Sequence, residues 1–236
     1  MKKIDLFGIM VSAIICLLAY LTSNNIFVAI GIMAAYILYY FLLARKRVIK
    51  YEDEVSRAHG CFHFINGFMV TLSIKESLDE AFQSGTRNPS KPLTELIEQM
   101  KEMNAMEKIK YLHKYFHFSI YHMFLNVVDI YQEQGGNIFK IGDSLYQESL
   151  RIQESVDESI STSKKKLIEF TILWSLALVV LLFMRLALRD FYAKMLKSII
   201  FMILLVVFYL LILVSLHFFI TKYSTLPIKQ EEPVNE

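Results

Sequence analysis

Four apolar runs constrain this chain before any other feature does. Residues 6–21, 26–43, 167–188 and 198–220 are nearly free of charge, and they stand as two pairs at the two ends of a 236-residue sequence. Each is close to the roughly 20 residues that a tilted helix needs to cross about 30 Å of hydrocarbon. Only Thr22, Ser23, Asn24 and Asn25 separate the first two runs, so they read as a helical hairpin. Lys2 and Lys3 before the first run resemble the start of a signal peptide. No small-x-small cleavage site follows, however, and a second apolar run begins within a few residues. Arg185 and Arg189 lie one turn apart at and just beyond the far end of the third run, where long basic side chains reach headgroups. The scarcity of Pro (4) and Gly (8) in a chain that is 55% hydrophobic excludes an ordinary soluble domain and favours an all-helical one.

Basic residues beside the runs set an expected orientation. Lys2 and Lys3 precede the first run, and Arg45, Lys46, Arg47 and Lys50 follow the second. Lys164, Lys165 and Lys166 precede the third, while Lys222 and Lys229 follow the fourth. With four crossings all these groups share one side, which is then the cytoplasmic side. The loop at 189–197 also carries Arg189, Lys194 and Lys197, which weakens the bias without reversing it. The expected architecture is an all-α integral membrane protein. A hairpin at 1–44 is followed by a cytoplasmic helical bundle at 45–166, a second hairpin at 167–221, and a disordered cytoplasmic tail at 222–236.

Within the bundle, a helix is expected to leave the second run at Arg45 and continue to about Thr71, becoming more apolar as it enters the core. Ser73 and Glu76 have the spacing of a capping box, in which the serine oxygen takes a backbone N–H at the third helical position and the glutamate reaches back. The helix so opened places Ile74, Leu78, Ala81 and Phe82 on one face and ends at Gly85 as a C-terminal cap. After a proline-containing turn, Pro92 fits the first turn of a helix with Leu93, Leu96, Ile97, Met100 and Met103 as its stripe. A short helix over 107–117 and an apolar one over 119–134 follow, the latter closing at Gly135-Gly136. From Asn137 a long helix carries Ile138, Ile141, Leu145, Leu150, Ile152 and Val156 as apolar positions and then runs, without Gly or Pro after Gly142, into the third apolar run. At about 1.5 Å per residue the helix from Asn137 to Leu188 is about 75 Å long. The Ser161-Thr162-Ser163 triplet is its weakest point and the expected hinge.

Catalytic motifs are missing from the sequence: no P-loop, no Gly-rich phosphate fingerprint and no CxxC. The pairs His59/His63 and His113/His117, with His122 nearby, have the i, i+4 spacing of zinc ligands, but no HExxH forms and each pair sits among aromatic residues, where histidine packs. Cys16 and Cys61 read as packing thiols rather than a disulfide. No cofactor or metal is expected, and a net charge of +2 gives no case for nucleic acid. Mid-run polar groups are few (Ser12, Ser175, Tyr209, Ser215), which argues against a transporter. The charged residues Glu98, Lys101, Glu102, Glu107, Lys108 and Lys110 read as a solvated face. Of these, Glu98, Lys101, Glu102, Lys108 and Lys110 are the candidate contact face for a soluble partner.

Two stretches carry a family resemblance. FINGFMVTLSIKESLDEAFQSG resembles the first half of the bacterial type II secretion F-domain, and YQEQGGNIFKIGDSLYQESLRIQESV resembles its second half, with Gln132, Gly135, Gly136, Asn137, Ile138 and Leu145 matching best. The order of two runs, one such domain and two runs is similar to the single-domain tight-adherence (Flp-type) pilus platform proteins. That resemblance implies a non-catalytic platform in the bacterial cytoplasmic membrane. It also implies a cytoplasmic secretion or pilus ATPase acting on the soluble domain, pilin subunits received by the membrane part, and assembly as a homo-oligomer or with a sister platform protein. The alternative is a membrane-anchored helical scaffold or signalling protein unrelated to pili.

Overall fold

The computed structural model describes residues 3–87 and 89–228. Every regular element among them is helical: α1 (Lys3–Ser23), α2 (Ile26–Tyr39), α3 (Arg45–Lys75), α4 (Leu78–Gly85), α5 (Lys91–Gln99), α6 (Ala105–Tyr111), α7 (Ser119–Gln134), α8 (Ile138–Ala187), α9 (Arg189–Leu196) and α10 (Ile199–Tyr223). A π-helical turn at Tyr40–Ala44 joins α2 to α3 without a break, and a 3₁₀ turn at Leu112–Lys114 closes α6. Three helical segments are long and apolar enough to cross a membrane: Ile26–Lys75, Lys140–Ala187 and Ile199–Tyr223. The apolar part of α1, Gly8–Ser23, is shorter. Lys2, Lys229 and the rest of the expected tail lie outside the described residues. The chain divides into two compact units, one of residues 1–51 and 161–225, the other of residues 52–160 and 226–236.

In the first, apolar unit, Asn25 opens α2 by accepting the N–H of Phe27 at 2.9 Å, which makes the turn after α1 a helix start. Ala19, Ala29, Ile32, Tyr36, Tyr209 and Ile212 form its buried cluster. Polar ties cross it. The Tyr36 hydroxyl donates to the Tyr209 carbonyl at 2.9 Å, and the hydroxyls of Thr22 and Tyr209 share a hydrogen bond at 3.0 Å. Asp5 and Arg45 form a 2.8 Å ion pair. The loop expected at 189–197 is instead largely helix α9, which buries Tyr192 and directs its hydroxyl to the Thr22 carbonyl at 2.8 Å. Arg185 reaches Asn24 Oδ1 at 3.4 Å.

The second unit is a helical bundle around Phe64. The Phe64 ring lies 5.8 to 6.1 Å from those of Phe68, Phe82, Phe116, Tyr121 and Phe124. The Tyr121 hydroxyl is satisfied by the Ile109 carbonyl at 2.7 Å. Burial pushes the Tyr121 hydroxyl and the Cys61 thiol up from their ordinary values, so both stay neutral.

Three expectations change here. The capping box at Ser73 and Glu76 does not form. Helix α3 continues to Lys75, and the Ser73 hydroxyl turns back to the Val70 carbonyl at 2.7 Å. Glu76 takes a left-handed backbone (φ 52°), and Ser77 is the N-cap of α4, accepting from the Glu80 N–H. The overlapping sequence SIKESLDE contains the S-x-x-E pattern twice, four residues apart. The core selects the second copy, because a helix starting at Leu78 turns Ala81, Phe82 and Gly85 inward, while Ile74 is left exposed. A capping box does close at Asn104 and Glu107, where both reciprocal bonds are present. Gly85 is the last residue of α4 rather than a left-handed cap, and its role is close approach: a Cβ there would lie 2.9 Å from the Phe64 carbonyl oxygen. The tail expected to be disordered from Lys222 is ordered at its start, since α10 reaches Tyr223 and both Leu226 and Ile228 pack against the bundle core.

Candidate functional site

The element on which any mechanical role must rest begins at the Gly135-Gly136 turn. Helix α7 ends with the Gly135 N–H donating to the Tyr131 carbonyl at 2.8 Å. Gly135 and Gly136 then take φ of 67° and 97°. A Cβ at either would meet nothing within 4 Å, so the glycines are needed for backbone freedom alone. The Asn137 carbonyl accepts the first bonds of α8, from the N–H groups of Lys140 and Ile141 at 3.0 and 3.3 Å. Ile138 is buried beneath the turn, whereas Gln132 is exposed on the last turn of α7.

From there α8 runs unbroken for 50 residues. Its buried positions within the bundle are Ile138, Gly142, Leu145, Ser149 and Val156, with Ile152 half-buried between the last two. The steps alternate between four and three residues, the spacing of a helix–helix seam. Of the apolar positions expected for this face, Leu150 is exposed and Ile141 is only half-buried, and the small residues Gly142 and Ser149 take their place.

The facing helix is α3. A Cβ on Gly142 would meet Met69 Cε at 2.5 Å. Further along, Asn66 Nδ2 donates to Gln153 Oε1 at 3.5 Å, and His59 Nε2 lies 3.6 Å from Asp157 Oδ1. The α3 partners fall in number as the α8 positions rise, so the two helices pair antiparallel. Both are helical beyond the bundle: α8 continues into its apolar half, and α3 is joined through the π turn to α2. The helix is continuous through Ser161–Ser163, the expected hinge, and the division between the two compact units falls there, between residues 160 and 161. The bidentate Glu148–Arg151 pair (2.7 and 2.8 Å) and the Lys166–Glu169 pair (2.7 Å) support α8 on either side of the triplet. The guanidinium of Arg151 holds the Glu148 carboxyl below its ordinary range.

The charged face divides. Glu98, Lys101 and Glu102 are exposed at the end of α5 and in the turn after it. On α6, Lys108 lies over the Phe82 ring at 5.9 Å, and Lys110 pairs with Asp129 at 3.0 Å. These two lysines therefore fasten α6 to α4 and α7. The histidines also separate. His63 meets the Arg87 carbonyl at 3.2 Å, away from the partner of His59, and His113 stacks on Tyr121. Among the described residues no group of three or more His, Cys, Asp or Glu is gathered to hold a metal ion.

Sequence reasoning missed the α3 half of the seam. Its signal was present in Asn66 and Met69, which sit among buried aromatic residues on a helix otherwise lined by phenylalanine. Comparison with protein-family models, curated proteins and solved structures finds no match.

Proposed function

We propose that this chain is a non-catalytic platform in the bacterial cytoplasmic membrane, coupling a cytoplasmic secretion or pilus ATPase to the insertion of pilin subunits into a growing pilus. In this reading the four apolar runs form two membrane hairpins, both termini and the bundle face the cytoplasm, and the bundle is an F-domain. The observation that carries the reading is the antiparallel pair of α3 and α8. Each of these helices is covalently continuous with a helix apolar enough to span a membrane. A push on the bundle is thus carried by backbone hydrogen bonds in two helices rather than by a loop. Support also comes from the Gly135-Gly136-Asn137 turn and from the resemblance of the flanking stretches to that domain, a fold-level analogy.

Insertion of a Gly-Ser pair after Ser161 tests the coupling. Expression, membrane insertion and bundle folding are expected to persist while assembly of the surface fibre is lost. Normal fibre assembly by this variant would end the coupling model. Co-purification with a secretion or pilus ATPase of the same cell, in ADP and in a non-hydrolysable ATP analogue, tests the partner: association in neither state would remove it.

A further inference from the structure

Within the apolar unit, an open groove of about 510 Å³ lies between the starts of α2 and α10. Its volume falls in the range of ordinary ligand sites, about 300–1,000 Å³. Val28, Met202, Ile203 and Val206 supply its apolar wall, and Asn25, Lys197 and Ser198 stand at one end. Lys197 is the single charged residue among those lining it. We infer that this groove holds one acyl chain of an anionic phospholipid whose phosphate is bound at Lys197.

Three observations converge on that occupant. The apolar wall follows about two turns of α10, about 12 Å at 1.5 Å per residue, which suits an extended hydrocarbon chain. It is built of Val, Ile and Met, whereas close docking of another helix favours Gly, Ala and Ser at the contact. At the polar end α10 begins without a side-chain cap, since Ser198 makes no such bond. The first N–H groups of a helix have no acceptor of their own and carry partial positive charge. Lys197, the residue before Ser198, lines the same groove, and the Asn25 amide nitrogen offers a further donor once its oxygen has capped α2. One end therefore attracts an anion and the remainder is apolar, which is the division of an anionic lipid.

The proposal rests only on the apolar unit lying in a membrane, and not on what drives the bundle. The full chain is purified in mild detergent, and lipid retention is read by native mass spectrometry with added phosphatidylglycerol or phosphatidylcholine. One phosphatidylglycerol is expected to be retained in preference to phosphatidylcholine. Lys197→Gln is expected to reduce that preference about fivefold, as loss of one lysine near a lipid phosphate does, and Lys197→Arg to keep it. Val207→Trp, which fills the groove from its exposed rim, is expected to release the lipid whatever its headgroup. Equal retention of both lipids by the natural chain, or retention unchanged in both Lys197→Gln and Val207→Trp, overturns the site. Release of the chain from membranes by alkaline carbonate would instead overturn the spanning reading beneath it.

Discussion

The two halves of α8 have the same backbone and opposite surroundings. Over residues 138–156 the helix buries a narrow seam against α3, including Leu145 at 1% exposure. Over residues 167–187 no position is buried, and Leu176 stands 62% exposed. In water the second half would be a severe aggregation hazard, since its apolar surface is contiguous. In a bilayer it is already in its preferred solvent, because hydrocarbon tails are as apolar as leucine. The first half is thus held by excluding water, while the second packs Phe170, Trp174 and Leu178 against α10 and its own cluster and leaves an outer apolar surface suited to a bilayer. A single helix can belong to both because its backbone bonds are satisfied internally in either phase.

The sharpest way to break that comparison is to make one substitution in each half. Leu145→Ala removes side-chain volume from a closed seam and is expected to cost about 2–5 kcal/mol. Leu176→Ala, on an exposed face, is expected to stay within about 0.5 kcal/mol. Denaturant unfolding of the full chain in micelles gives the two values, and amide exchange locates them, with protection falling over the seam only for Leu145→Ala. Similar costs for both would mean that the apolar half is packed against protein in the assembled state.

The extent of the helices was legible because apolar runs and the lack of Pro dictate it. The seam was less so. A stripe of Leu, Ile and Val reads directly as a buried face, but Gly142 and Ser149 give no hydrophobic signal. The burial of Gly142 follows from the close approach of Met69 and Val127, which lie more than ten residues away in sequence. Leu150 misled for the converse reason, being apolar yet one position off the stripe. Likewise α9 was hidden by its basic residues, although Tyr192 marks its buried face. The proposed lipid groove was not legible at all, because Val28 and Val206 become neighbours only through the packing of α2 and α10.

A smaller effect concerns where the packed half begins. Gly136 has a φ of 97°, a region that residues with a Cβ rarely adopt. Gly136→Ala is expected to cost about 1–2 kcal/mol by strain alone, since open space surrounds the position. The loss is expected in the bundle, with amide exchange speeding at the start of α8 and unchanged beyond Leu167. A neutral outcome would show that the turn relaxes without disturbing Ile138, and that the seam does not depend on a fixed entry angle.

The smallest expected effect tests the other side of the seam, at the end of α3. Helix α3 extends past Met69, which faces Gly142 of α8, and the cap of the next helix lies at Ser77 rather than at Ser73. Ser77→Ala removes the acceptor of the Glu80 N–H and is expected to cost about 1 kcal/mol. Ser73→Ala removes a hydroxyl that only returns to the carbonyl three residues back, and helix propensity favours alanine there, so the change is expected within about 0.5 kcal/mol of zero. Thermal unfolding of both variants in the same micelles separates the cases. If Ser73→Ala proved the more damaging, α3 would end a turn earlier in solution, and the seam would lose the support of its last turn.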